Sequence, residues 1–490
     1  MTIIVVLILF LILTFVIGIY FKNRVETPED YYVAGRTLPW WVVMLTMSAT
    51  YIGATATLAK SGLGYNQGYS SMMATFAAMS GMAILGLLSP KISRIGFKYR
   101  ILSVSGLIRH RFGRTAGTIS AVIVAWALIG TLAGQVVGAG SLLPVVFANV
   151  GLNLSYELAI FILVLVMIGY TLLSGMFGVA YTDVIQVTIL IIGLAIALPI
   201  LMLNEVGGWS AVTPMLPEGF LSFKPGMYVI GLMFSYCLYF MSGPPYWQRS
   251  FAAKTSGGSK YGIVLAAVLI TIYSFMVTVV GMAARAIYPE LPSNVQSADS
   301  VMIILVIERF HPVFAAIIVV SIMAAIMSTM DSYLLTAAQA MITDIYRVYK
   351  TDFTDKQELK LAKILVAVIA LASFVFALYV RNILDALQLA MGFYSATLAA
   401  PLMAAVFWKN ATKPACYASM FGGCAMYLIW NYALGKPWAM NPSIPGGIVS
   451  IVLMIVVSLA TCKRFEAPYF EGVGKNDPIE AAAKQPEPAS

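Results

Sequence analysis

The chain alternates long apolar runs with short polar breaks. Thirteen runs of roughly 20 residues begin near Ile3, Trp40, Tyr69, Thr115, Tyr156, Gly178, Gly226, Tyr261, Pro312, Leu359, Ile383, Cys416 and Ile444. Runs of that length predict bilayer-spanning helices, because a helix satisfies its backbone N–H and C=O groups within one segment. The pattern predicts an all-α polytopic membrane protein with about 13 transmembrane helices over residues 1–465 and no sizeable soluble domain. The longest external segments, near 204–225 and 288–311, are expected to carry small surface helices. After Lys463 the pattern turns polar, ending "GVGKNDPIEAAAKQPEPAS", and residues 466–490 are expected to form a disordered tail. The first run reads as a span rather than a signal peptide: it lacks a basic leading region, and Lys22 and Arg24 follow it.

Composition agrees with this picture and charge gives it a direction. The 490 residues are 60% hydrophobic and 10% charged, against about 25% charged in soluble domains, and the mean hydropathy is +0.87. With the N-terminus outside and the C-terminus cytosolic, only Lys224, Arg285, Arg309, Arg381 and Lys436 among the 30 Lys and Arg face outward. Lys60 lies within a span and the other 24 are cytosolic, as the positive-inside rule requires. The net charge of +9 therefore points to the lipid bilayer as partner, not to nucleic acid. The four cysteines are scattered without metal-ligand spacing. There is no P-loop, and the only histidines, His110 and His311, fall in loops, so no catalytic set assembles within the membrane. The pattern predicts no enzyme; neither does it set an oligomeric state or show the repeated pore element of a channel.

Two spans are interrupted. The second reads "MLTMSATYIGATATLAKSGLGYNQG", small residues without a bulky core. The seventh reads "IGLMFSYCLYFMSGPPYWQRS", in which Gly243-Pro244-Pro245 cannot continue a helix. A small-residue packing face is the plainer alternative for the first, and the simple end of a span explains the second equally well. Their placement five spans apart adds weight, because paired breaks in corresponding positions point to a transporter with its site between two repeats.

Polar groups within spans are few. Lys60, Asp183 and Asp331 are the ionisable candidates, and such residues usually face the interior. A helix-to-helix hydrogen bond is the plain reading of a lone aspartate. Asp183 and Asp331 lie at compatible depths, so the two carboxylates can share a cation or a proton. In "MSTMDSYLLTAAQ", Ser328, Thr329 and Ser332 join Ala325 at i, i+3, i+4 and i+7, one stripe of a helix. Back-bonding to the preceding turn explains any single hydroxyl. A stripe of hydroxyls set against a broken helix with freed carbonyls supplies the hard oxygen ligands of an alkali cation.

With "GVAYTDVIQ", "QRSFAAKT", "MSTMDSYLLTAA…TDIY" and "YYVAGRTLPWW", the chain resembles the sodium:solute symporter family from about Ile4 to Cys462. The resemblance implies a LeuT-type fold of two inverted five-helix repeats, about 40–202 and 226–408, and transport by alternating access coupled to Na+. It implies a plasma-membrane, bacterial inner-membrane, location. The family's shared Na+ site matches Ala49 and Ile52, through backbone carbonyls, with Ala325, Ser328 and Thr329. A second cation or proton site, present in some members, matches Asp183, Ser328, Asp331 and Ser332, but Asp331 stands where such members often have Ser, so a salt bridge is an alternative. Tyr51, Thr75 and Tyr239 match substrate positions.

The expected function is Na+-coupled symport of a small polar organic solute. An amino acid or organic acid is favoured, because Lys60 can attract a carboxylate in the outer vestibule. The groups expected for a hexose at Thr75 and Gly243, and the tryptophan cage expected for choline, are absent. The alternatives are an H+-coupled carrier of the same fold, or a carrier of a quaternary amine or sugar-like solute. A solute sensor on the same scaffold is disfavoured by the short tail.

Overall fold

The computed structural model describes residues 1–21, 25–224, 226–291, 297–350, 352, 354–465 and 467–470. Its principal helices are α1 (Thr2–Phe21), α2 (Trp40–Tyr51), α3 (Lys60–Gln67), α4 (Met72–Lys98), α5 (Val104–Phe112), α6 (Arg114–Ala148) and α7 (Tyr156–Leu190). There follow α8 (Met227–Ser242), α9 (Pro244–Ala252), α10 (Ser256–Ile287), α11 (Pro312–Met341), α12 (Asp355–Tyr379), α13 (Phe393–Phe407), α14 (Lys413–Leu428) and α15 (Ser443–Thr461). Among the described residues, nine uninterrupted helical stretches are long and apolar enough to cross a membrane. The nine differ from the expected thirteen because α2 stops at a break, α8 and α14 are short, and Tyr156–Gly169 is a shorter apolar segment. The second half of the second run and the whole third run form one stretch, Thr55–Lys98.

The centre of the bundle is α11, buried along nearly its whole length and packed on α2, α6 and α7. The second broken unit, α8 and α9, packs on α4, and α10 covers both α2 and α3. Within α7 the chain kinks at Gly175, whose φ of 53° and ψ of −162° lie outside the reach of ordinary L-residues. A side chain there would also meet the Tyr31 ring, 2.7 Å from the added Cβ.

The segment before α2 ties the two broken units together. Leu38 N–H donates to Ala252 O (3.1 Å) and Lys254 N–H to Leu38 O (2.8 Å), a parallel bridge at the end of α9. Arg36 donates to Glu29 Oε1 (2.5 Å), Phe251 O (3.3 Å) and Ile101 O (3.2 Å), so one buried guanidinium clamps three segments.

On the side expected to be cytosolic, Arg111 is 1% exposed and donates to the carbonyls of Trp408, Lys409, Ala467 and Pro468. Phe470 stacks on His110 (centroids 5.0 Å apart, 13° between planes) and meets Tyr99 edge-on. Burial, Arg109 and Arg111 hold the His110 imidazole below its ordinary range, which suits a neutral ring in that stack. Residues 467–470, inside the stretch expected to be a disordered tail, are thus packed on the body, because they supply carbonyls to a buried arginine. The remainder of that stretch, 466 and 471–490, lies outside the described residues.

Candidate functional site

The site begins with hydrogen bonds that α2 does not make. In a continuing helix, Gly53 N–H would donate to Ala49 O and Ala54 N–H to Thr50 O. Instead Gly53 N–H turns to Tyr51 O (2.9 Å) and Ala54 N–H to the side chain of Gln135 on α6 (2.6 Å). The break releases the Ala49 carbonyl, and α11 meets it there. Thr329 Oγ1 donates to Ala49 O at 3.0 Å; Ser328 Oγ lies 3.2 Å from Ala49 O and 3.1 Å from Ala325 O. Ile52 stands one residue beyond α2. The structure therefore brings Ala49, Ala325, Ser328 and Thr329 together, all buried.

The donor set is two neutral carbonyls and two hydroxyls, the hard oxygens that suit Na+. Gly53 leaves the space for it. A Cβ at that position would lie 2.3 Å from Gln135 Oε1 and 2.7 Å from Thr329 Oγ1.

The two aspartates take hydrogen bonds from different threonines. Thr46 Oγ1 on α2 donates to Asp183 Oδ2 (2.5 Å), whereas Thr171 Oγ1 donates to Asp331 Oδ1 (2.6 Å). Asp183 also feels Arg249 of α9, which acts on it electrostatically. Arg249, buried, also donates to Ser332 Oγ at 2.5 Å. Ser332 in turn donates to Ser328 O (3.0 Å), and its hydroxyl lies 3.1 Å from that of Thr50. Where the sequence predicted a cation near Asp183 and Ser332, a guanidinium of the chain itself sits.

The second break behaves as the first. α8 stops at Ser242, Gly243 is extended (φ −65°, ψ 133°), and Pro244 starts α9 at the position where its missing N–H is harmless. The freed Ser242 carbonyl receives Tyr394 Oη at 2.7 Å.

Between the breaks lies a cavity. Tyr51, Lys60, Thr75, Gln135, Tyr246 and Thr329 are among its walls. Tyr239, also predicted to touch solute, stands one layer back, edge-on to Tyr246 with ring centroids 6.2 Å apart. Gln135, Arg249, Thr46, Thr171 and Tyr394 were absent from the sequence-derived site. Only Arg249 carried a signal, a charge a few residues past Pro244-Pro245.

Comparison with known proteins decides what this arrangement belongs to. The family model described as "SSF: Sodium:solute symporter family" matches residues 31–423. The chain belongs to the sodium:solute symporter family. It is similar to the high-affinity proline transporter PutP of Bacillus subtilis, 24% identical over 91% of this chain and 95% of that protein. The osmoregulated proline transporter OpuE of the same organism is 26% identical over 94% and 95%. Among solved structures, a Na+-coupled sialic acid symporter in a substrate-bound outward-open state shares the fold, with a TM-score of 0.81, 20% identity, and 96% and 99% of the two chains covered. MhsT in complex with L-phenylalanine aligns at a TM-score of 0.56 and 16% identity over 86% of this chain and 98% of MhsT. This sodium:solute symporter is thus an all-helical, multi-pass transporter of the LeuT fold, with Na+ as its coupling ion.

Proposed function

We propose that this symporter carries a small polar organic solute, an amino acid or organic acid, with one Na+ per cycle. The Na+ is held by the carbonyls of Ala49, Ile52 and Ala325 and the hydroxyls of Ser328 and Thr329. The solute occupies the cavity between the two breaks, touching Tyr51 and Thr75, with Tyr239 backing the wall. Asp183, Asp331 and Ser332 act as internal structure, because the Arg249 guanidinium takes the place of a second cation.

The observation that carries this reading is the position of Thr329. It donates to the Ala49 carbonyl and at the same time lines the cavity. An ion that orders Thr329 orders a wall of the solute pocket, which is a coupling free energy between two sites. Alternating access then runs through two inverted five-helix repeats, about 40–202 and 226–408, within thirteen crossings, N-terminus outside and C-terminus cytosolic, in the plasma membrane. The bridge between Leu38 and Ala253 ties the two broken units at one end, so they move as one body.

The test is uptake into proteoliposomes from a panel of labelled solutes under imposed Na+ or H+ gradients. Uptake that follows Na+ is expected. Uptake that followed a proton gradient and ignored Na+ would overturn the proposed ion site.

A further inference from the structure

Lys60 opens α3 and stands seven positions after Gly53, about 10 Å of helical rise. It is 6% exposed and forms part of the cavity wall. Its Nζ donates to Ser71 O at 2.8 Å, and among the described residues no carboxylate pairs with it. An ammonium has three donors, so two remain. Burial without a counter-ion penalises the ammonium form of this side chain, and an incoming anion offsets that penalty.

The cavity offers nothing comparable to a cation. Among the described residues, no Asp or Glu lines it. Of the carbonyls released by the breaks, which a substrate ammonium would also use, that of Ala49 is committed to the Na+ site, and those of Tyr51 and Ser242 each accept a hydrogen bond from the chain itself. The rest of the wall near Lys60 is hydroxyl or aromatic: Tyr51, Thr75, Phe240 and Tyr246.

The structure assigns to this symporter a small organic anion as solute, its carboxylate on Lys60 and its neutral body against Tyr51, Phe240 and Tyr246, in preference to a zwitterionic amino acid. This rests on the cavity being the solute site of Na+ symport. The relatives named for proline are only 24 and 26% identical, so a different solute head group is compatible with the family.

The experiment uses the full chain in proteoliposomes at neutral pH under an inward Na+ gradient, with labelled lactate, pyruvate and proline. Lactate or pyruvate is taken up; unlabelled lactamide, the neutral isostere, and proline do not compete. Lys60→Met weakens lactate transport at least about thirtyfold, the loss expected when one partner of a buried charge pair is removed, and keeps the Na+-dependent rise in Tm. Na+-driven proline uptake at a rate equal to lactate, lactamide competing as well as lactate, or failure of every short monocarboxylate overturns the assignment. In the first two cases symport itself stands. Lactate uptake that depends on Lys60 but ignores the Na+ gradient has the opposite meaning: the anion site stands and Na+ coupling falls. If Lys60→Met loses the Na+ response through misfolding, the lactate, lactamide and proline competition on the unaltered chain still decides.

Discussion

The Thr329 hydroxyl donates to the Ala49 carbonyl, 3.0 Å away and 280 positions earlier in the chain. This contact joins α11 to the first break, and it should vanish in transport assays before it does in folding assays. Ser328→Ala, which removes one hydroxyl without touching the cavity wall, is expected to raise the half-saturating Na+ concentration about tenfold, the effect of one hydrogen-bonding ligand. The half-saturating solute concentration should move much less. Equal shifts in both would point to general damage. Thr329→Ala should move both, because that residue serves both sites.

Gly53 has no room for even one carbon. Gly53→Ala places a Cβ 2.3 Å from Gln135 Oε1 and 2.7 Å from Thr329 Oγ1, so those side chains or the break itself must shift. Na+-driven uptake is expected to fall at least about a hundredfold while the protein still inserts and purifies, since a misplacement of about 1 Å can cost that much. Near-normal uptake by Gly53→Ala would show that the geometry around Ala49 is not the ion site.

Asp183 and Arg249 are both buried and attract one another electrostatically, so removing one of them is expected to be worse than removing both. Arg249→Met strands the Asp183 carboxylate and is expected to destabilise by about 3–5 kcal/mol. The combination of Asp183→Asn with Arg249→Met should be more stable than Arg249→Met alone, a coupling that thermal unfolding of the four proteins measures. Asp331→Asn, which alters the acceptor of the Thr171 hydroxyl, should leave the Na+-to-solute ratio at one. A ratio of two that fell to one in Asp331→Asn would restore a second ion site.

One Na+ moving with one monocarboxylate carries no net charge. Lactate uptake should therefore be indifferent to an imposed membrane potential while responding fully to the Na+ gradient. A strong acceleration by inside-negative potential would require a second cation per cycle.

Asp299 lies in the loop segment facing α3, its Oδ1 2.5 Å from where a Cβ at Gly62 would be. Burial, aided by Asp385, pushes its carboxyl up to about 6. The folded value exceeds the unfolded one of about 3.9, so the fold holds this proton more tightly. Its contribution to stability is whole below about pH 4 and is lost as pH rises through about 6. Asp299→Asn keeps the neutral shape and should raise Tm at neutral pH, by an amount worth roughly 2–3 kcal/mol, with no change near pH 4. An equal rise at both pH values would mean that something other than ionisation is involved.

Much of the fold was readable because each cause was local. Gly243-Pro244-Pro245 stops a helix wherever it occurs, and Ser328 and Thr329 share a face with Ala325 by helical geometry alone. The rest depended on distant partners. Nothing near Asp183 in sequence says that Arg249, on another broken helix, will face it, and nothing near Ala54 points to Gln135. The Gly175 kink escaped notice because a glycine between two apolar runs reads as an ordinary loop. The edge-on contact of Tyr239 with Tyr246 was likewise not legible, because it joins rings on either side of a helix break.

The four carbonyls around Arg111 also set a rule for handling the protein. Two of them, from Ala467 and Pro468, lie beyond the last helix. A truncation at 465 would leave a guanidinium that is 1% exposed with half its acceptors and would uncover the faces of Tyr99 and His110 that Phe470 protects. Shortened versions of the protein therefore need to keep residues 467–470.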